Sequence, residues 1–230
     1  MNERVGVTRF DVGRLQRLIE SDEIQRPGHA GYRKVFKRLL DLTVVAIAAV
    51  PTIAILVPIM AVIALDGRSP VYVQKRLGRN GRVFRMFKLR SMVVGADQIL
   101  EAYLERNPEA RAEWDRCQKL RHDPRITAFG AFLRKTSLDE LPQLLNVLNG
   151  SMSVVGPRPM MVEQRALYPG AAYYEMRPGI TGFWQVSERN ETSFSERAYY
   201  DTAYFRQMSL ATDLRVMVRT VQVVFRATGY

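Results

Sequence analysis

Two adjacent carboxylates, Asp139 and Glu140, open a run in which Leu141, Leu144, Leu145 and Leu148 recur at helical spacing until Asn149-Gly150 ends it. The pair is too close along the chain to act as an opposed acid and base across a sugar ring. At a helix start, successive side chains point roughly 100° apart, so one carboxylate can attack while the other holds a cation or orients a phosphate. Carboxylates that attack phosphorus form acyl phosphates, an established route in covalent catalysis. The non-catalytic alternative is a capping box of Ser137 with Glu140 three residues on. Pro142 argues against it, because proline is tolerated in the first helical turn and disfavoured later. The helix is therefore expected to start near Leu138 or Asp139. Free backbone N–H groups there would bind phosphate and stabilise an ionised Asp139.

Cations bracket this pair. Arg134 precedes Asp139 by five residues, and Arg158 is fixed between Pro157 and Pro159, a pre-set fork for phosphate. Arg177 and Arg189 are further anion-binding candidates. Between Gly67 and Ala96 there are eight Lys or Arg and no acid. Lys88 and Arg90 stand out among them, lying past a strand and near the end of an apolar segment. The net charge of +11 calls for anionic partners: nucleic acid, acidic lipid head groups or phosphorylated small molecules. A single cysteine, Cys117, excludes an internal disulfide, and with His29 and His122 it makes a poor zinc site. Carboxylates are left as the reactive groups.

The elements that must position these groups are legible as patterns. Residues 1–31 read as a polar, mobile leader with a short helix over 11–23. No charged residue occurs from Leu42 to Leu65, long enough for a membrane-inserted helix. Basic clusters flank it on both sides, Arg33, Lys34, Lys37 and Arg38 before and Arg68, Lys75 and Arg76 after. The positive-inside rule then favours a segment over 32–66 that enters and returns on the cytoplasmic side, with Pro51 and Pro58 supplying bends. Residues 71–74 and 82–87 suggest two strands joined by the turn Gly78-Arg79-Asn80-Gly81. A solvent-facing helical pair broken at Asn107-Pro108 follows, with Trp114 and Cys117 as packing residues. Short strands are expected at 153–156 and after Pro178-Gly179. In the last helix, 213–225, Leu214, Met217, Val218, Val221, Val224 and Phe225 form one face and Arg215, Arg219, Gln222 and Arg226 the other, a pattern that suits a bilayer surface or the domain core equally. Tyr199, Tyr200, Tyr204 and Phe205 suit a head-group boundary. The expected fold is helix-rich α+β: one re-entrant membrane helix and a cytosolic domain over 67–230, with a small β-hairpin and interfacial amphipathic helices.

Several ordered motifs carry a resemblance. The sequence is similar to the bacterial sugar transferases, monotopic polyprenyl-phosphate phosphoglycosyl transferases, from about Phe36 to the C-terminus. The shared motifs are Val73-Gln74-Lys75-Arg76-Leu77-Gly78, Phe87-Lys88-Leu89-Arg90-Ser91-Met92, Asp123-Pro124-Arg125, Leu133 to Gln143, Val155-Gly156-Pro157-Arg158-Pro159 and Arg177-Pro178-Gly179-Ile180-Thr181-Gly182. The segment from Gly95 to Leu120 further resembles the exopolysaccharide-initiating galactosyl-phosphate transferases. The resemblance implies that Asp139 attacks the sugar-bearing phosphate of a UDP-sugar, releasing UMP, and that undecaprenyl phosphate then takes the phospho-sugar. It implies Glu140 and Asp139 as ligands of Mg2+, phosphate clamps at Arg134, Arg158, Arg177, Lys88 and Arg90, and nucleotide binding by Pro157, Arg158 and Pro159. Its implied setting is the cytoplasmic face of the bacterial inner membrane, with downstream glycosyltransferases as partners and a homodimer as an open option. One departure stands out. The family's Ser-Pro helix break falls at Ile53-Ala54, and here Pro51 and Pro58 bracket that position instead.

Galactose is the expected sugar, with glucose or an N-acetylated sugar open. A different class of function, a membrane-tethered basic module that binds nucleic acid or an acidic partner, would explain the charge but leave Asp139 and Glu140 idle. No nucleic-acid motif supports it, and nucleic acid is not an expected partner.

Overall fold

The computed structural model describes residues 31–118, 120–187 and 194–225. The leader with its expected helix over 11–23, and Arg189, lie outside the described residues, as does the Cys117 side chain. After a π-helical turn at Tyr32–Phe36, helix α1 runs Lys37–Ile63 and ends in a 3-10 turn at Ala64–Asp66. At 1.5 Å per residue its 27 residues extend about 40 Å. Both prolines lie inside it, and it is assigned as one helix across them. Among the described residues it is the one helix long and apolar enough to cross a membrane by length and composition.

The two ends of α1 are tied to the same globular body. At its start, Lys37 Nζ donates to Asp213 Oδ2 (2.7 Å) and Tyr204 OH (2.8 Å). Arg38 donates to the carbonyls of Val147 and Leu148, and Asp41 Oδ1 accepts from Ser153 Oγ and Val154 N, both at 2.9 Å. At its exit, Arg90 Nη2 donates to Ile63 O (2.9 Å), and both its terminal nitrogens grip Asp66 at 2.7 Å. Between these anchors Ile47, Val50, Ile53 and Val57 are exposed.

Strands β1 (Val71–Leu77) and β2 (Val83–Leu89) pair antiparallel, with Val71 opposite Leu89 and Leu77 opposite Val83. The hairpin is longer than the sequence pattern suggested, and its turn uses left-handed Asn80 and Gly81. Helices α2 (Ala96–Arg106) and α3 (Pro108–Cys117) form the expected pair, with Pro108 opening the second. Helix α4 (Ala128–Lys135) is capped by Thr127, whose Oγ1 accepts from Gly130 N. It leads through a 3-10 turn at Leu138–Gln143 into α5 (Leu144–Leu148). Strands β3 (Ser153–Val155) and β4 (Gly179–Thr181) pair in parallel; the short α6 (Ala172–Glu175) precedes β4, and α7 (Arg197–Gln207) and α8 (Leu210–Phe225) follow it.

The core joins β2, α5, β3, α7 and α8 through Met86, Val147, Met152, Val155, Tyr204, Phe205 and Val216. Asn146, fully buried, serves the edge of β2: its Oδ1 accepts from Phe87 N and its Nδ2 donates to Arg85 O, satisfying strand groups that would otherwise lack partners. In α8 the inward stripe is Asp213, Val216, Met217 and Thr220, whereas Leu214, Val218 and Val221 form an exposed apolar ridge. The helix thus packs on the domain core along one stripe and leaves a second apolar stripe exposed, and Val216, absent from the expected apolar face, is its buried anchor.

Candidate active site

Strand β2, the turn after α4 and the loop after β3 bring the acids and cations together. The turn is 3-10 rather than α-helical through Gln143, because Pro142 withholds an N–H and the α-helix begins only at Leu144. Ser137 adopts φ +58°, a left-handed conformation uncommon outside glycine, and makes no side-chain cap. Glu140 N instead donates to the Ser137 backbone carbonyl. The capping box is therefore not formed, and the acids owe their place to the turn itself.

Asp139 is buried, 6% exposed, while Glu140 is partly open. Lys88 reaches between them from β2, its Nζ 2.8 Å from Glu140 Oε1 and 3.7 Å from Asp139 Oδ2. Arg158 Nη2 lies 3.8 Å from Glu140 Oε1. Burial raises the Asp139 pKa above the ordinary carboxylate value; Lys88 opposes this most strongly, Glu140 adds to it, and Arg134 and Arg158 oppose it. A carboxylate so placed is more basic than one in water, while the neighbouring cations favour its ionised form, which suits a nucleophile. Removing the Lys88 charge in Lys88→Met should move the acid limb of the kcat/KM profile to higher pH. A limb that stays put or moves down would refute this account.

Close backbone packing fixes the cations. A Cβ on Gly130 would sit 1.9 Å from Ser91 O, so α4, which carries Arg134, rests directly on the chain leaving β2. Loop 156–159 is pinned similarly: Gly156 N donates to Thr181 O and Gly179 N to Pro157 O, and a Cβ on Gly179 would come within 2.1 Å of Gly156 N. Arg76 then ties Pro159 O to the hairpin. Pro157 and Pro159 are buried, leaving Arg158 partly exposed and facing the acids.

Two expected clamps lie elsewhere. Arg90 holds the exit of α1 rather than the acid pair. Arg177 has Arg38, Arg79 and Asp41 as its charged neighbours, at the start of α1. Conversely, sequence reasoning passed over Arg76 and Arg197, both partly buried and electrostatically coupled to Arg158. Arg76 was discoverable, because the alternation of the hairpin puts it on the same face as Gln74, Tyr72 and, across the register, Lys88. Nothing local to Arg197 marks it.

The acid pair could hold Mg2+ only in part. Mg2+ takes one or two carboxylates and completes its shell with water and substrate phosphate oxygens. Glu140 and Asp139 fit that demand, and among the described residues no cluster of three acid, His or Cys ligands offers a self-sufficient site. An ion here would be shared with a phosphorylated substrate.

A buried carboxylate with Lys88, Arg134 and Arg158 as its cationic neighbours, in a chain with one long apolar helix, is an arrangement that can receive a phosphate. The chain belongs to the bacterial sugar transferase family, which it matches over residues 32–227. It is 44% identical over 202 residues to the UDP-galactose-lipid carrier transferase of Erwinia amylovora, covering 85% of this chain and 42% of that protein. It is 43% identical to the exopolysaccharide production protein ExoY of Rhizobium meliloti, over 84% of this chain and 87% of that one. With the undecaprenyl-phosphate galactose phosphotransferase of Salmonella typhimurium it shares 41% identity, over 85% and 42% respectively. The chain thus spans about two fifths of the Erwinia and Salmonella proteins and nearly all of the Rhizobium one.

Proposed function

We propose that the chain transfers a sugar-1-phosphate from a UDP-sugar to undecaprenyl phosphate at the cytoplasmic face of the bacterial inner membrane, initiating an exopolysaccharide. The observation that carries this reading is the buried Asp139 set among Lys88, Arg134 and Arg158. An Asp139 carboxylate oxygen attacks the sugar-bearing phosphorus, the bond from that phosphorus to the bridging oxygen breaks, and UMP leaves. An oxygen of undecaprenyl phosphate then attacks the same phosphorus and the acyl phosphate bond breaks, restoring Asp139. The bond from sugar C1 to oxygen is untouched throughout, so the anomeric configuration is kept. Lys88, Arg134 and Arg158 stabilise charge developing on the phosphoryl oxygens. Glu140, with Asp139, would hold Mg2+ on the donor phosphates, where the ion supplies charge neutralisation. Galactose is the favoured sugar because the Erwinia and Salmonella relatives carry it in their names; a Xanthomonas campestris relative named for glucose-1-phosphate transfer, 38% identical, is the reason to test glucose beside it. The lipid-linked product would pass to downstream glycosyltransferases.

The membrane segment is proposed to be re-entrant. A helix held by one domain at both Lys37–Asp41 and Ile63–Asp66, with its middle exposed, supports entry and return on one side. The exposed apolar residues Val35, Phe36, Leu39, Phe132, Leu145, Leu148 and Val218 would seat the domain on the same leaflet. Lys88 and Arg90, two residues apart and so roughly 7 Å along the chain, would put the acids close to the bilayer exit of α1. Cysteines placed at Gly31 and Arg68 should both resist an impermeant reagent applied outside intact cells; outside labelling of just one would make α1 a simple span.

The chemical test uses membranes and UDP-galactose radiolabelled in its sugar-bearing phosphate. The protein should take up label, and added undecaprenyl phosphate should move that label into lipid. Labelled lipid formed without passage through labelled protein would sink the covalent route.

A further inference from the structure

Trp184 is buried, and two guanidinium groups stand over its ring. Arg197 Cζ is 4.3 Å from the ring centroid and Arg158 Cζ 5.7 Å. Arg197 is also 4.6 Å from the Phe194 ring, so it is wedged between two aromatic side chains. Its Nε is sealed from solvent without a hydrogen-bond acceptor. Its acidic neighbour, Asp201, is buried and already accepts from Tyr168 OH at 2.6 Å. Arg76, the third cation, is satisfied by neutral acceptors, Gln74 Oε1 and Pro159 O. Burial first and the Arg158 charge second push Arg197 down to about 9 and Arg76 to about 10. Like charges this close and this poorly solvated repel one another, and a bound anion would relieve that repulsion.

Arg158 belongs to two groups at once. It is 3.8 Å from Glu140 on one side and over Trp184 on the other. Two adjoining phosphates could therefore be gripped together, one at the acid pair and one at the indole. We propose that Arg158 and Arg197, over Trp184, and their electrostatic neighbour Arg76 form a second anion subsite that takes the nucleotide-side phosphate of the donor and retains it as the departing nucleoside monophosphate. This rests on the donor reading above and adds a division of labour to it: Lys88 and Arg134 serve the phosphate that is transferred, Arg76 and Arg197 the phosphate that leaves.

The test measures UMP and uridine binding by the full-length protein in detergent, in an Asp139→Asn background so that no turnover intervenes. Arg197→Met should weaken UMP binding at least about tenfold, the scale of one lost charge-assisted contact, and leave uridine binding unchanged. Arg197→Lys should recover most of the loss by restoring the charge. Should Arg197→Met fail to fold, Arg76→Gln carries the same expectation. Equal UMP affinity in the folded Met or Gln variant overturns the subsite. A variant that weakens undecaprenyl phosphate binding but not UMP binding also overturns it, by assigning the cations to the acceptor. The labelling of Asp139 is independent of these results, so the subsite and the covalent route can fail separately.

Discussion

Asp139→Asn is expected to lower turnover by about four orders of magnitude or more, the scale seen when a covalent nucleophile is removed. The amide matches the carboxylate in size, so the packing of a buried residue, 6% exposed, is kept. What disappears is the charged oxygen that attacks phosphorus in the proposed route. Because a negative charge leaves a site ringed by Lys88, Arg134 and Arg158, donor binding should not weaken. UMP release at saturating donor measures the effect, with the thermal midpoint as the control for folding. Glu140→Gln separates the two acids: it should slow turnover less and still allow label to accumulate on the protein. Turnover within tenfold of the natural enzyme in Asp139→Asn would end the nucleophile assignment.

The second large effect is on stability. Lys37 and Asp213 form an ion pair at 2.7 Å with side-chain exposures of 10% and 0%, and Tyr32 and Tyr204 donate to the same carboxylate. Removing one partner of such a pair leaves the other charge buried, which costs about 3–5 kcal/mol. Asp213→Leu strands Lys37, takes the acceptor from the Tyr32 hydroxyl and leaves Tyr204 OH only the Val155 carbonyl at 3.3 Å. Asp213→Asn removes the charge while keeping an acceptor oxygen for one hydroxyl and an amide that the other can accept from, and so comes nearer to isolating the charge. Adding Lys37→Met to Asp213→Asn should recover much of the loss, a coupling that denaturation of the four variants in detergent would reveal. Additive losses in that cycle would mean the pair contributes nothing of its own.

How far these features were visible beforehand depended on the range of the contacts behind them. The Asp139-Glu140 dyad, the proline that limits its helix, the basic hairpin and the apolar stretch are local patterns, and each appears near its expected place. The 3-10 geometry and the left-handed Ser137 were not foreseeable, because Pro142 told where an α-helix could not be but not what would replace it. Arg90 lay in a family motif, yet its partner is Asp66, 24 residues away. Arg177 likewise drew its charged neighbours from α1 and the hairpin turn. Arg197 was missed for the same reason: its significance comes from Trp184, Arg158 and Arg76, which only the tertiary fold gathers. Val216 escaped notice because the exposed ridge of α8 is as apolar as its buried stripe.

The anchoring of α1 also sets the order in which its partners become available as the chain is made. Lys37 finds its carboxylate 176 residues later, in Asp213, whereas the exit of the same helix is clasped by Arg90 only 27 residues beyond Ile63. At roughly 5–20 residues per second, the ribosome needs on the order of 10–35 s to make the chain between Lys37 and Asp213. Throughout that interval the apolar helix can be fastened at its far end while its near end carries an unpaired lysine. The pairing of Lys37 with Asp213 is thus the last of the α1 anchors that the growing chain can make, after Arg90 and the 147–154 segment that holds Arg38 and Asp41 have been synthesised.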